Sequence, residues 1–475
     1  MSHFRPLFLL TQLVLIAGCS STSGSNSTPA EIIDFTEAFS QDAEVDRLRF
    51  FREINADDAL KNRNLTGSGV RVTIMGEMVD AKHPDLQATV QTQFNTFSQK
   101  GEVLTGEGNL SLGAEKLGVN DGHGTHIAGT IAAACDGVGV QGVACGATLD
   151  VYNLGLYDDI ERFPLAGWGN THEFERLLVA FSDAARHLAG RGASRITTGS
   201  FNLESPAIRF ETGGSLSGLS VTELINKIEQ EVEDVDDLFD RGIAVPSDPA
   251  DREFLTRMIS ENEDDISIAL MSLMPQTSTW TELEDALSAY QATDGVYLVT
   301  ESNYTFADHS STLNAMPSLS DKVDEDLWLS IVMAVPEGMD TLDENATRED
   351  VDALMQGAYL TPINSCGEMA KDYCLLTPSY SVLSTMTERV AFNDMPLIKV
   401  DGRLHQSLDG HSMGAPMVAA ALALMEENNV AEGLGYSMKD LVRILKDNAN
   451  RGFPGYEPVK HGRGLLDVSA AIAAM

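Results

Sequence analysis

The stretch Asp121–Gly129, DGHGTHIAG, is the most informative part of the chain. It places His123 between two glycines at the start of a small and apolar run, a pattern that indicates a helix. A second stretch, Gly410–Pro416 or GHSMGAP, places Ser412 in the same setting. A neutral imidazole can take the proton of a serine hydroxyl. The two stretches therefore predict the base and the nucleophile of a covalent hydrolase, in the order histidine then serine.

Short apolar runs alternate with helical patterns around these stretches. Strands are expected at 70–75, 148–154, 195–201, 295–300 and 327–335, and helices at 125–134, 174–188, 280–290, 412–425 and 436–448. Strands that alternate with helices predict an α/β domain in which helices cover both faces of a parallel sheet.

Both stretches resemble signatures of the subtilisin-like serine proteases, the subtilases, and GRGLLD at Gly462–Asp467 is similar to a further part of that family. The resemblance implies a subtilisin-like three-layer α/β sandwich with a mainly parallel β-sheet. It implies one peptidase domain at 47–475. An acidic segment at about 204–276 breaks the strand–helix order, and we expect it to be an insertion that forms surface helices or is partly disordered.

The resemblance also assigns roles to single residues. It implies that His123 is the general base and Ser412 the nucleophile that forms an acyl-enzyme with a peptide substrate. Asn303 follows an apolar strand pattern, as does the family's asparagine that donates to the oxyanion, although the residues before it differ from the usual small ones. His126, in contrast, is expected to be a packing residue.

The segment Ser200, Phe201 and Asn202 resembles the strand edge at which the family binds extended substrate. The family's usual glycine is replaced by Asn202. We expect this larger side chain to narrow the cleft.

The family's catalytic aspartate is missing. The segment Val72–Leu86 aligns without gaps to the family's aspartate motif, and the catalytic position falls on Gly76. Glu77 is adjacent, but neighbouring strand residues point to opposite faces, so we do not expect it to replace the aspartate. Asp80 is expected to be occupied at its own place, whereas a carboxylate of the insertion could reach in. Two hypotheses stay open, an active serine endopeptidase and a catalytically impaired pseudoprotease that binds peptides or proteins at the cell envelope.

The cysteines and two aspartates suggest how loops are braced. Apart from Cys19, the cysteines are Cys135, Cys145, Cys366 and Cys374. Close spacing favours the pairs Cys135–Cys145 and Cys366–Cys374, although three pairings are possible.

By resemblance, Asp85 and Asp136 fall where subtilisin-like enzymes hold a structural calcium ion. The alternative is two solvated aspartates in turns. We expect no cofactor to be required for catalysis.

The N-terminus predicts export. Arg5 precedes the apolar run Leu7–Ile16, which indicates a signal peptide at 1–18. The ending LIAGC resembles a bacterial lipobox and implies lipidation of Cys19, followed by a tether or linker at 19–46. With Ser20 next, we expect an anchor in the outer membrane of the cell envelope. An ordinary cleaved signal peptide is the alternative.

The formal net charge of −39 bears on the partners. A chain this acidic repels nucleic acid and anionic lipid surfaces. We therefore expect the protein not to bind nucleic acid and to meet a membrane only through its lipid anchor. The family resemblance implies a protein or peptide substrate, and we expect a monomer.

Overall fold

The structure is a computed structural model of the whole chain. The residues that it describes are 32–35, 49–96, 104–105, 122–154, 171–192, 194–203, 205–210, 216, 218–231, 244–261, 272–302, 309–338, 358, 360–387 and 397–475.

The strands, in chain order, are β1 Ile32–Phe35, β2 Arg71–Gly76, β3 Val90–Asn95, β4 Leu104–Thr105, β5 Thr148–Asn153, β6 Ile196–Gly199, β7 Val296–Thr300, β8 Trp328–Pro336, β9 Leu360–Pro362, β10 Cys374–Thr377, β11 Val382–Thr385, β12 Leu397–Val400 and β13 Arg403–Leu408. The α-helices are α1 Arg49–Glu53, α2 Ala56–Arg63, α3 Gly122–Ala132, α4 Thr171–Arg191, α5 Val221–Glu231, α6 Pro249–Glu261, α7 Ser278–Gln291, α8 Met316–Leu319, α9 Gly367–Ala370, α10 Gly414–Ala431, α11 Met438–Asp447, α12 Pro458–His461 and α13 Val468–Ala473. Short 3₁₀ turns lie at Met274–Gln276, Glu325–Leu327 and His411–Met413. Each strand and helix predicted from the sequence corresponds to one of these elements.

The central sheet is mainly parallel, as predicted. Its strand order is β10-β8-β7-β6-β2-β5-β3-β4, with β9 paired to β8. Within it, β4 and β9 run antiparallel to their partners, while the pairs from β3 across to β10 are parallel.

Helices cover both faces of this sheet, because successive strand residues point to opposite sides. On one side, Val72 and Ile74 of β2 belong to the same buried cluster as residues of α3 and α10. On the other side, Met75 of β2 packs with the apolar residues of α4 and α7. The result is the predicted three-layer α/β sandwich.

A second, smaller sheet lies beside the first and has the order β1-β12-β13-β11. Its outer strand β1 runs parallel to β12, whereas β13 is antiparallel to both of its neighbours.

The described part of the acidic segment contains α5 and α6, which agrees with the expected surface helices. A small buried cluster, which includes Leu216, Leu224 and Leu255, packs these helices together. No helix among the described residues combines the length and the apolar character that a membrane span requires. The signal peptide at 1–18 lies outside the described residues.

Candidate active site

The candidate site lies at the carboxyl ends of β2 and β6, where ligands commonly bind in open α/β sheets. His123 is the second residue of α3, and Ser412 lies in the 3₁₀ turn that leads into α10. This turn packs against α3. The fold therefore brings together the regions of His123 and Ser412, which are remote in the sequence.

A carboxylate binds His123 on the side that faces β2. The Oε1 atom of Glu77 lies 2.7 Å from Nδ1 of His123, and the two side chains are only 3% and 5% exposed. A carboxylate accepts hydrogen bonds, so Nδ1 of His123 carries a proton and its N–H donates a hydrogen bond to Glu77. In the neutral ring the other nitrogen, Nε2, then has the lone pair that a general base requires.

Glu77 reaches His123 because the strand ends one residue earlier. The expectation that Glu77 points away from His123 assumed that it continues β2, and that expectation is wrong: β2 ends at Gly76. Gly76 has a φ of +152°, a backbone conformation that residues with a Cβ atom rarely adopt. The chain turns at this glycine, and the alternation of strand side chains no longer applies to Glu77.

Neighbouring groups fix the segment that carries Glu77. The side chain of Gln93 pairs with the backbone of Val79 through both its oxygen, at 3.0 Å, and its nitrogen, at 2.9 Å. The backbone N–H of Asp80 donates to the hydroxyl of Thr125 at 2.8 Å, which ties the same segment to α3. The segment that carries Glu77 is therefore fixed by contacts with both β3 and α3.

Gly124 lets α3 approach this segment closely. A Cβ atom at Gly124 would lie 2.3 Å from the carbonyl oxygen of Met78, which is far too close. The N–H of Gly124 also donates to Oε2 of Glu77 at 3.1 Å. Both carboxylate oxygens of Glu77 therefore bind α3, one through a side chain and one through the backbone.

Ser412 and Ser200 bind each other through side chain and backbone. The hydroxyl of Ser412 donates to the carbonyl oxygen of Ser200 at 3.4 Å, and the hydroxyl of Ser200 donates to the carbonyl oxygen of Ser412 at 3.0 Å. The predicted nucleophile thus lies directly beside the predicted substrate-binding segment.

Two further histidines near the site are buried and neutral. Burial lowers the pKa of His126 to about 3, and its Nε2 faces the carbonyl of Val382 at 2.9 Å. Burial likewise lowers the pKa of His411 to about 4, and its Nδ1 accepts the N–H of Met333. His126 therefore packs between strands, as expected, and does not replace His123.

The three residues of the predicted substrate edge lie in different surroundings. Phe201 is buried, with its ring edge-on to Phe181 at a centroid distance of 5.5 Å. The side-chain amide of Asn202 donates to the carbonyl of Thr300 and, at 2.5 Å, to Oδ1 of Asn314. Asn202 thus bridges the ends of β6 and β7, where the family's glycine would leave space.

Asn303 and Cys19 lie outside the described residues, so their expected roles stay predictions.

The other four cysteines form the two disulfides that the close spacing favoured. Cys135 bonds to Cys145 with a Cα–Cα distance of 5.6 Å, and Cys366 bonds to Cys374 with a Cα–Cα distance of 5.9 Å.

Asp85 and Asp136 come together, as the calcium expectation requires, but they bind Arg403. Its guanidinium pairs with both carboxylates, which leaves no open position for an ion between them. Calcium needs six to eight oxygen ligands around an accessible centre. The residues present therefore do not fit a calcium ion at this place.

A neighbouring group of His83, Asp85 and His405 has donor atoms close enough for a metal, yet its geometry is that of a hydrogen-bond network. Nε2 of His83 faces the carbonyl of Leu404 at 2.9 Å, and its Nδ1 accepts the N–H of Asp85 at 3.2 Å. Both nitrogens of His83 are therefore occupied.

Comparisons with known proteins point to one family and one fold. Residues 67–166, which include Glu77 and His123 but not Ser412, match the model of the subtilase family, peptidase S8. Subtilisin BL of Lederbergia lenta is 42% identical over 91 residues, which are 19% of this chain and 28% of that protein. Subtilisin E of Bacillus subtilis (strain 168) is 36% identical over 93 residues, 19% of this chain and 20% of that protein. The matched region thus spans under a third of each relative's length.

Among solved structures, fervidolysin from Fervidobacterium pennivorans, described as a keratinolytic enzyme related to subtilisin, aligns with a TM-score of 0.51 and 16% identity. The alignment covers 90% of this chain and 45% of fervidolysin. The likeness of fold extends well beyond the region of sequence similarity.

Proposed function

We propose that this chain is a member of the subtilase family and a serine endopeptidase with a Ser412–His123–Glu77 triad. The observation that carries the proposal is the buried contact of 2.7 Å between Glu77 and His123. This contact supplies the carboxylate that the missing aspartate would otherwise provide.

The chemistry follows from the proton positions. Glu77 accepts a hydrogen bond from the Nδ1–H group of His123 and so fixes the ring tautomer. His123 takes the hydroxyl proton of Ser412 through Nε2, and the resulting imidazolium is stabilised by the negative charge of Glu77. The oxygen of Ser412 attacks the peptide carbonyl to form an acyl-enzyme, and His123 returns the proton to the leaving amine. Water then hydrolyses the acyl-enzyme by the same proton relay.

Hydrogen-bond donors must stabilise the negative charge that develops on the carbonyl oxygen of the substrate during the attack. Ser412 precedes α10, and the N–H groups of Met413 and Gly414 already bind the carbonyl oxygens of Gly410 and His411. The proposed backbone donor to the oxyanion is therefore the N–H of Ser412 itself. Asn303 is proposed as the side-chain donor. No metal ion takes part in this mechanism.

The proposed setting is the bacterial cell envelope. The signal pattern at 1–18 and the lipobox-like ending at Cys19 support a lipid anchor, with the outer membrane favoured by Ser20. The two disulfides are typical of an oxidising compartment outside the cytosol. We propose a monomer that acts on protein or peptide substrates and does not bind nucleic acid.

One observation favours the alternative, a pseudoprotease that binds peptides without cutting them. The amide of Asn202 binds Thr300 and Asn314 at the position where the family has a glycine, and we propose that this side chain narrows the substrate cleft. The contact between Glu77 and His123 argues against this alternative, because a protein that only binds peptides has no need of an oriented imidazole.

Labelling with a fluorophosphonate tests the proposal, since this reagent reacts with activated serine hydroxyls. The wild-type protein should be labelled, and Ser412→Ala should not. Ser469→Ala is the matched control, because Ser469 lies in the last helix, α13, where its hydroxyl binds Asp58 of α2. Equal labelling of wild type and Ser412→Ala would contradict the assigned nucleophile. Absence of labelling in the folded wild-type protein would favour the pseudoprotease.

A further inference from the structure

Arg403, the first residue of β13, joins two loops that are remote in the sequence. Asp85 precedes β3, and Asp136 follows α3. The guanidinium lies between their carboxylates and also binds the carbonyl oxygen of Val138. The side chain of Asp85 is fully buried and that of Arg403 is 14% exposed, so the pair is largely shielded from water.

A single nitrogen has the surroundings of a bound cation. Nη1 of Arg403 is in contact with Oδ1 of Asp85, and it lies 3.0 Å from Oδ1 of Asp136 and 3.2 Å from the oxygen of Val138. Nη2 adds a bond of 2.8 Å to Oδ2 of Asp136. Two carboxylates and a backbone carbonyl are oxygen ligands that hard cations prefer. In this structure the guanidinium of Arg403 lies among these three oxygen ligands, where a cation would bind.

The second oxygen of Asp85 is also in use. Nε2 of His405 lies 3.1 Å from Oδ2 of Asp85, and the His405 side chain is buried. Arg403 and His405 are two residues apart on β13, so they point to the same face of the strand and both reach Asp85. A metal ion would have to displace a nitrogen donor from each oxygen of this carboxylate.

We propose that Arg403 is the resident cation of these loops and takes the place of a structural calcium ion. The positive charge is covalently part of the chain, so the loops near His123 stay fixed at any concentration of free calcium. The disulfide between Cys135 and Cys145 braces the same loop covalently. The stability that these two loops give the fold is therefore independent of calcium and dependent on Arg403.

Thermal unfolding of the whole protein, in excess EDTA and in excess calcium chloride, tests the proposal without any variant. For the wild type we expect the two midpoints to agree within about 2 °C, because a ligand that does not bind the folded state cannot stabilise it. Titration calorimetry with calcium should show no binding to the folded protein. A midpoint that is lower in EDTA than in calcium by about 4 °C or more, roughly what loss of a tightly bound ion causes in a chain of this length, would overturn the proposal.

Substitutions test the role of the charge. Arg403→Ala leaves the buried Asp85 without its cation and should lower the midpoint in EDTA by about 3–5 °C. Calcium should raise this midpoint again, since the oxygens of Asp85, Asp136 and Val138 then face an open position. Arg403→Lys keeps a positive charge and should stay insensitive to EDTA.

Arg443→Gln is the matched control, because Arg443 pairs with Asp440 on the surface and is 62% exposed. It should unfold like the wild type under both conditions. Should Arg403→Ala unfold like the wild type, or should calcium fail to raise its midpoint, the proposal is wrong. If Arg403→Ala does not fold, the wild type and Arg403→Lys decide the question. These readouts are independent of peptidase activity, so they can fail while the proposed function stands.

Discussion

Glu77 contacts His123 from a position one residue beyond the place of the family's aspartate. The carboxylate oxygen lies 2.7 Å from Nδ1, and both groups are shielded from water. Charge-assisted hydrogen bonds are stronger in such surroundings. A shift of one residue, together with the longer side chain of glutamate and the turn at Gly76, keeps the contact that orients the imidazole.

This contact changes the outcome expected for Gly76→Asp. From the sequence, restoring an aspartate at this position would be expected to raise activity. With Glu77 already bound to His123, we predict no gain in kcat and a loss of stability. A φ of +152° at Gly76 strains any residue with a Cβ atom, at a cost of about 1–3 kcal/mol. Denaturant unfolding and kcat on a peptide substrate measure the two effects. A rise in kcat would mean that Glu77 does not serve His123.

Asn202→Gly should widen the cleft beside Ser412. The substitution removes the amide that binds Thr300 and Asn314 and so opens the space between the ends of β6 and β7. We predict that kcat/KM rises by about tenfold for peptides with a large side chain at the cleavage site. Peptides with alanine or glycine at that site serve as the control and should change little. Equal changes for large and small side chains would show that Asn202 does not restrict the cleft.

Acid should destabilise the protein partly through His411. Burial lowers the pKa of His411 to about 4, from an ordinary value of 6.5. Between about pH 6.5 and 4 the unfolded chain therefore binds a proton here that the folded chain does not. The free energy of unfolding should fall as the pH falls through this window, by up to about 3 kcal/mol from this residue.

The variant His411→Asn tests this effect. An asparagine oxygen can still accept the N–H of Met333 but does not titrate in this range. Denaturant unfolding at pH 7, 6, 5 and 4 should give a shallower loss of stability than in the wild type. The slope should not vanish, because His126 is buried in the same way. Identical slopes in wild type and His411→Asn would contradict the assigned cause.

The sequence was sufficient to predict the order of strands and helices around the site. The apolar runs at 70–75 and 295–300 are short and bounded by turn residues, and both form buried parallel strands. Close spacing also indicated both disulfides. These features depend on local patterns, which a single sequence records directly.

The contacts that complete the site depend on where strands end. The role of Glu77 could not be predicted from the sequence, because strand alternation continued past Gly76 points its side chain away from His123. The glycine itself is the signal that the strand can turn there. Arg403 could not be paired with Asp85 from the sequence, since more than 300 residues separate them. The alternation of Arg403 and His405 on a short strand was the available sign that both point to one face.

Measuring kcat for Glu77→Gln tests the central claim most directly. Glutamine keeps the shape of the side chain but removes the charge that orients His123 and stabilises its protonated form. We predict that kcat falls by about 10³- to 10⁴-fold, as expected for loss of a triad carboxylate. Asp80→Asn is the matched control: this carboxylate lies in the same segment and accepts the N–H of Lys82, and its loss should change kcat by less than about twofold. A Glu77→Gln protein that turns over substrate as fast as the wild type would show that Glu77 is not the partner on which His123 depends.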